Sequence, residues 1–152
     1  MEQTYKKILV GVDGSENATE AFKKAVEVAR RNQGTVIVAT IIEPQIPLMV
    51  GTSSFSDDFV EAESERANLL LEECVAYGES VQFTAIEKVM VFGQAKSILA
   101  TELPRNHQID LLMVGQSGLN AVEKMMVGSV ASYVILKAPC DVLVIATPEE
   151  KQ

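Results

Sequence analysis

The chain has 152 residues, 47% of them apolar, and a formal net charge of −8. Its length suits a single domain spanning residues 1–152, and its excess of acidic side chains argues against nucleic acid as a partner. No apolar run reaches membrane length and the first residues lead directly into a predicted strand, so we expect a soluble, cytoplasmic protein without a membrane partner.

The first quarter of the chain predicts a strand, a helix and a second strand. Residues 6–12 are a short apolar run, as in a strand that is covered on both faces. Ser15 or Asn17 can cap the helix that follows, and this helix is expected to stop at Asn32. A second strand, rich in β-branched residues, is predicted over Thr35–Ile42.

A long loop and a second helix come next. Residues 43–58 contain two prolines and no regular apolar period, which predicts a long loop that is either mobile or a lid over a site. The second helix is predicted over residues 58–77 and is expected to end at Gly78. Residues 81–89 are less apolar than the other strands and predict an edge strand.

The last part of the chain repeats the alternation of helix and strand. A third helix should open near Gly93 and close at Pro104, because proline cannot donate to a helical ladder. A fourth strand is predicted over residues 110–114. The final helix, Ser129–Lys137, should then lead to a fifth strand over 141–146.

This alternation predicts an α/β fold, an open five-stranded parallel sheet with helices on both faces. In such Rossmann-like sheets, ligands bind at the carboxyl ends of the strands where the strand order reverses. The glycine spacing Gly115-x2-Gly118-x9-Gly128-Ser129 falls between the fourth strand and the last helix. Glycines that allow close approach, next to a helix N-terminus, suit a phosphate group.

The glycine spacing resembles the nucleotide-binding motif of the universal stress protein family, in its ATP-binding branch. Residues 7–15, KILVGVDGS, are similar to the first strand and turn of that family. Residues 38–44 and 128–145 resemble its second strand and its closing helix and strand. The resemblance implies the strand order 3-2-1-4-5, which places the reversal between strands one and four.

The resemblance also implies a role for each matching residue. Asp13 and the backbone of Ile41 would hold the adenine or ribose, and Val114 and Gly115 would flank the sugar. The phosphates would be held by Gly118, Gly128, Ser129 and Val130. The ligand would be ATP, or ADP or AMP, with Mg²⁺, for which Asp13 is a candidate ligand.

Simpler roles remain open for four of these positions. Gly118 can merely end a strand, and Ser129 can merely be an N-cap. Asp13 can stabilise a turn with Gly14, and Lys124, inside the glycine loop, can be a solvated surface residue.

The sequence favours a binding protein over an enzyme. No Ser/His/Asp set can be read from it, and His107 is predicted at the opposite edge of the sheet from the glycine loop. We therefore expect a nucleotide-dependent sensor or regulator of the stress response that acts on a regulatory protein partner. The alternatives are a slow Mg²⁺-dependent ATPase and a nucleotide-free dimeric interaction module. The resemblance further implies a homodimer that pairs through the last strand, Asp141 to Ala146.

Overall fold

Five parallel strands form one sheet in the computed structural model, which describes residues 4–44, 57–116 and 127–146. The strands are β1 Lys7–Gly11, β2 Thr35–Ile42, β3 Ile86–Phe92, β4 Leu111–Gly115 and β5 Asp141–Ile145. Their order is β3-β2-β1-β4-β5, which confirms the predicted α/β fold and its topology. Gly118, Lys124 and most of the predicted 43–58 loop lie outside the described residues.

Helices cover both faces of this sheet. They are α1 Glu16–Asn32, α2 Asp57–Ser80, α3 Ala95–Ser97, α4 Leu103–Asn106 and α5 Ser129–Lys137, with a π-helical segment, Ile98–Glu102, joining α3 to α4. Within the described ranges, every helix falls short of the length or the apolar character that a bilayer span demands.

The strands are buried on both faces because their side chains alternate between two apolar layers. On β1, Ile8 and Val10 pack into the layer under α1 and α2, whereas Leu9 packs into the layer under α5 and the π-helical segment. Cys74 of α2 belongs to the first layer, and burial raises the pKa of its thiol to about 11. A buried thiol with a raised pKa packs as a small apolar side chain and is unreactive.

The first helix begins as predicted. The Ser15 hydroxyl accepts a hydrogen bond from the Ala18 N–H (3.2 Å) and is therefore the N-cap of α1. The second strand occupies the predicted range, Thr35–Ile42, and the last helix occupies Ser129–Lys137.

The predicted end of the second helix is wrong. Gly78 lies inside α2, which continues to Ser80. A Cβ at this glycine would lie 2.6 Å from the Phe83 carbonyl oxygen and 2.4 Å from Ile86 Cδ1. Gly78 therefore allows the chain leading into β3 to pass close to the helix, and it does not end the helix. Because α2 continues to Ser80, β3 begins at Ile86 and not at residue 81. It is an edge strand, as predicted.

The predicted end of the third helix is also wrong. Pro104 is buried inside a continuous helical stretch that runs on to Asn106. The π-helical segment before it widens the turn, so that the N–H of Leu103 bonds the carbonyl of Ile98, five residues back. Proline is tolerated because it directly follows this widened turn, where the regular bonding of each N–H to the carbonyl four residues back is already interrupted.

Candidate functional site

A cavity of about 450 Å³ opens at the carboxyl ends of the strands. It lies between the neighbouring strands β1 and β4. The helices that follow these two strands, α1 and α5, pack on opposite faces of the sheet. This is the reversal point at which open α/β sheets bind ligands, and the volume is within the range of small-molecule sites.

The cavity brings together the predicted site residues that the structure describes. They are Asp13, Ile41, Val114, Gly115, Gly128, Ser129 and Val130. The eighth predicted residue, Gly118, lies outside the described residues.

Asp13 lies on the turn between β1 and α1. Its Oδ1 accepts a hydrogen bond from the Ser15 N–H (2.9 Å), and Gly14 supplies the positive φ of 88° that the turn needs. Asp13 thus has the turn-stabilising role that the sequence left open. Since this bond occupies one carboxylate oxygen, the same side chain can still accept a hydrogen bond from a ligand.

The start of α5 forms the opposite wall. Gly128 is the N-cap, and Ser129 is the first helical residue, so the hypothesis that Ser129 serves as the N-cap is wrong. Gly128 has no side chain with which to cap the helix, and its N–H donates to the Gln116 carbonyl (2.7 Å). Ser129, Val130 and Ala131, the first turn of the helix, all line the cavity. Backbone N–H groups of a first turn, at the positive end of the helix dipole, are suitable donors for an anion.

The cavity has further walls that the sequence did not predict. Glu43 follows β2, and its Oε1 accepts a hydrogen bond from the N–H of Ala95, the first residue of α3 (2.7 Å). Glu43 and Ala95 both line the cavity, as does Gln116 after β4. Glu43 could have been found, because Ala39, Ile41 and Glu43 are alternate residues and extended chain turns alternate residues to one side.

Leu99 could not have been found in this way. It lies in the π-helical segment, lines the cavity and faces Gly11, where an added Cβ would lie 3.3 Å from both methyl carbons of the leucine. The break in the helical period is not visible in the sequence, so no pattern placed this leucine in the site.

His107 follows α4, in the connection that leads to the amino end of β4. It is not among the described residues that line the cavity, in agreement with its predicted place at the other edge of the sheet. Among the described residues, no group of three His, Cys, Asp or Glu side chains is arranged to hold a metal ion.

The family model described as the universal stress protein family matches residues 4–146. The chain belongs to the universal stress protein family. A Staphylococcus haemolyticus protein named as a universal stress protein is 38% identical over 146 residues, which cover 96% of this chain and 87% of that protein.

Solved universal stress protein structures share the fold. UspA from Lactobacillus plantarum matches with a TM-score of 0.83 and 27% identity, over 95% of this chain and 99% of that chain. A universal stress protein solved in complex with cAMP matches with a TM-score of 0.70 and 26% identity, over 96% of this chain and 100% of that chain. An adenine nucleotide is therefore a ligand of at least one relative with this fold.

Proposed function

We propose that this universal stress protein binds an adenine nucleotide, ATP in particular, and acts as a nucleotide-dependent regulator in the stress response. The observation that carries the proposal is the cavity itself, because seven of the eight residues that the family resemblance implied line it. The relative solved with cAMP supports the adenine chemistry.

The two ends of the cavity suit the two ends of a nucleotide. The phosphates would lie against the first turn of α5, where Gly128 permits close approach and the backbone of Ser129 and Val130 supplies donors. Each hydrogen bond from such a group to a charged oxygen contributes roughly 1.5–3 kcal/mol. The base and ribose would lie over Ile41 and Asp13.

The residues present also fit the way in which Mg²⁺ is usually bound beside a nucleotide. This ion is commonly held by phosphate oxygens, waters and only one or two carboxylates, and not by a cage of protein ligands. Asp13 is the carboxylate we assign to it, through the oxygen that does not accept from Ser15. When bound, the ion would neutralise phosphate charge.

We further propose that the protein is a cytoplasmic homodimer that pairs through β5 and has a protein partner, not nucleic acid or a membrane. β5 is an edge strand of the sheet, and Leu143 on it is 42% exposed. The adjacent helix α5 exposes Ile135 and Leu136. An apolar edge strand is a surface that a second copy can cover by an isologous contact.

The test of nucleotide binding is the small-molecule content of the purified protein, determined by extraction and mass spectrometry, followed by calorimetric titration with ATP, ADP and adenosine. Co-purified ATP, or micromolar affinity for it, is expected. ADP or AMP in the extract, with Mg²⁺-dependent turnover of added ATP, would replace a binding role by slow hydrolysis. An empty protein that binds none of the three would contradict the proposal and leave the interaction module.

A further inference from the structure

The carboxylate of Glu43 stands beside the part of the cavity that the proposed function assigns to the base. Ala39, Ile41 and Glu43 form one row along β2 and its extension, and all three line the cavity. Glu43 lies two residues beyond Ile41, which is about 7 Å in extended chain. A base held against Ile41 would therefore have Glu43 within reach of its edge.

Glu43 is held in place by the protein. Its Oε1 accepts the Ala95 N–H at 2.7 Å, and this bond ties the end of β2 to the start of α3 across the cavity rim. A carboxylate has two oxygens and about four acceptor positions, so one bond leaves acceptor capacity for a ligand. Because the side chain is already oriented, less conformational entropy is lost when a ligand binds.

We propose that Glu43 is a specificity-determining residue that selects 6-aminopurines over 6-oxopurines, an inference that rests on the proposed function. A carboxylate accepts hydrogen bonds and donates none. We assign Glu43 to the edge of the base formed by N7 and position 6. On this edge the amino group of adenine donates, whereas hypoxanthine and guanine present acceptors only. Their carbonyl oxygen at position 6 would face the carboxylate as acceptor against acceptor. Because Glu43 is exposed, water can relieve part of this mismatch, and the discrimination is smaller than at a buried polar group.

The charges around the cavity agree with this selection. Among the described residues that line it, the charged side chains are Asp13 and Glu43, both acidic. Because Asp13 is assigned to Mg²⁺, Glu43 is the charged acceptor that the described part of the wall leaves for an amino group, and this part offers a carbonyl oxygen no cationic side chain.

The decisive variant is Glu43→Gln. The amide oxygen can still accept the Ala95 N–H, so the tie to α3 is kept, while the amide nitrogen adds a donor that can serve a carbonyl oxygen. A purely structural Glu43 would tolerate this change without any effect on selectivity. Glu79→Gln is the matched control, because it removes the same charge at an exposed position on α2, away from the cavity.

The readout is the ratio of the dissociation constants of AMP and IMP, measured by calorimetry. These ligands share the ribose and the phosphate. The base carries an amino group at position 6 and an acceptor N1 in AMP, and a carbonyl oxygen at position 6 and an N1–H in IMP. We expect the parent and Glu79→Gln to prefer AMP by roughly tenfold or more, and Glu43→Gln to reduce that preference to about threefold or less. An unchanged ratio in Glu43→Gln, or a parent without preference, overturns the role of Glu43 while nucleotide binding stands. A parent that binds neither nucleotide, nor ATP, overturns the proposed function itself.

Discussion

Gly128 would take part in the proposed phosphate site without contributing a side chain. Its φ of −63° and ψ of 161° are ordinary extended values, which residues with a Cβ also adopt. The glycine is therefore not required by backbone strain. In the proposed site, its lack of a side chain would leave the approach to the first turn of α5 open, next to Ser129.

This makes Gly128→Val a clean test of the phosphate end. The variant should fold, with a loss of about 1 kcal/mol from the poorer N-cap, and should lose most of its ATP affinity because the valine side chain occupies the approach. Ser129→Ala should lose less, about 1–2 kcal/mol, since it removes one hydroxyl and leaves the helix N–H groups. Calorimetry with ATP and adenosine measures both variants, and circular dichroism checks the fold.

Adenosine serves as the internal control because it lacks the phosphates. Its affinity should change least in Gly128→Val. Equal losses for ATP and adenosine would place the base, not the phosphates, at the start of α5. An unchanged ATP affinity in the folded variant would remove this helix from the site.

At the scale of elements, the sequence was most informative where local signals act alone. The Ser15 cap, the β-branched run of β2 and the start of α5 after Gly128 could all be predicted from neighbours in the chain. The strand ends that carry most of the site could also be predicted in this way, but the individual site residues came from resemblance to relatives. The order of the strands came from resemblance to relatives.

The elements that were misplaced depend on contacts distant in sequence or on an irregular turn. Gly78 carries a local stop signal, but its lack of a Cβ is used to pass the chain before β3 close to α2. Pro104 carries another stop signal, which the π-helical segment accommodates. Leu99 enters the site through that same irregular turn. Packing overrides propensity in each case, and no single-sequence pattern reports it.

Gly78→Ala tests this competition between propensity and packing. Helix propensity alone predicts a gain of about 0.5–1 kcal/mol, because glycine is a poor helix former. Packing predicts a loss of about 1–3 kcal/mol, because the methyl group would lie 2.6 Å from the Phe83 carbonyl oxygen, which belongs to the backbone and cannot turn aside. We expect packing to win, with a net loss of about 1–2 kcal/mol in the free energy of unfolding.

Urea denaturation measures this loss, with Ala62→Gly as the control in the same helix. Ala62 is exposed, so its replacement should cost only the propensity difference of about 0.5–1 kcal/mol. If Gly78→Ala is instead more stable than the parent by a similar amount, the close approach before β3 is not a constraint on the fold.

At the scale of the whole molecule, the sheet has two edges of different character. β3 forms one edge and carries charged side chains at Glu87 and Lys88. β5 forms the other edge, where Leu143 is exposed on the face that carries α1, while α5, which packs on the other face, exposes Ile135 and Leu136. Charged residues protect an edge strand from pairing, whereas an apolar edge favours it. The proposed homodimer should therefore use β5 and not β3.

The direction of the backbone groups allows a specific test of that choice. The Ile145 carbonyl accepts a hydrogen bond from the Gln116 N–H (2.8 Å) and therefore points into the sheet. Backbone groups of successive residues in a strand point to opposite sides, so the N–H of Val144 points to the free edge of β5. On β3, the Gly93 N–H donates to the Ile42 carbonyl and therefore points into the sheet. By the same alternation, the N–H of Met90, three residues earlier, points to the free edge of β3. Proline at either position removes an outward donor without cutting the ladder inside the sheet.

We expect the parent and Met90→Pro to sediment as dimers at micromolar concentration, and Val144→Pro to sediment as a monomer of about 16.5 kDa. The physical reason is that an isologous strand pair uses each outward donor twice, once in each copy, so one substitution removes two hydrogen bonds at the two-fold axis. Analytical ultracentrifugation over a concentration series gives the association constant of each variant. A parent that is monomeric throughout, or a Val144→Pro variant that associates as tightly as Met90→Pro, would leave β5 as an unpaired edge and require another surface for any dimer.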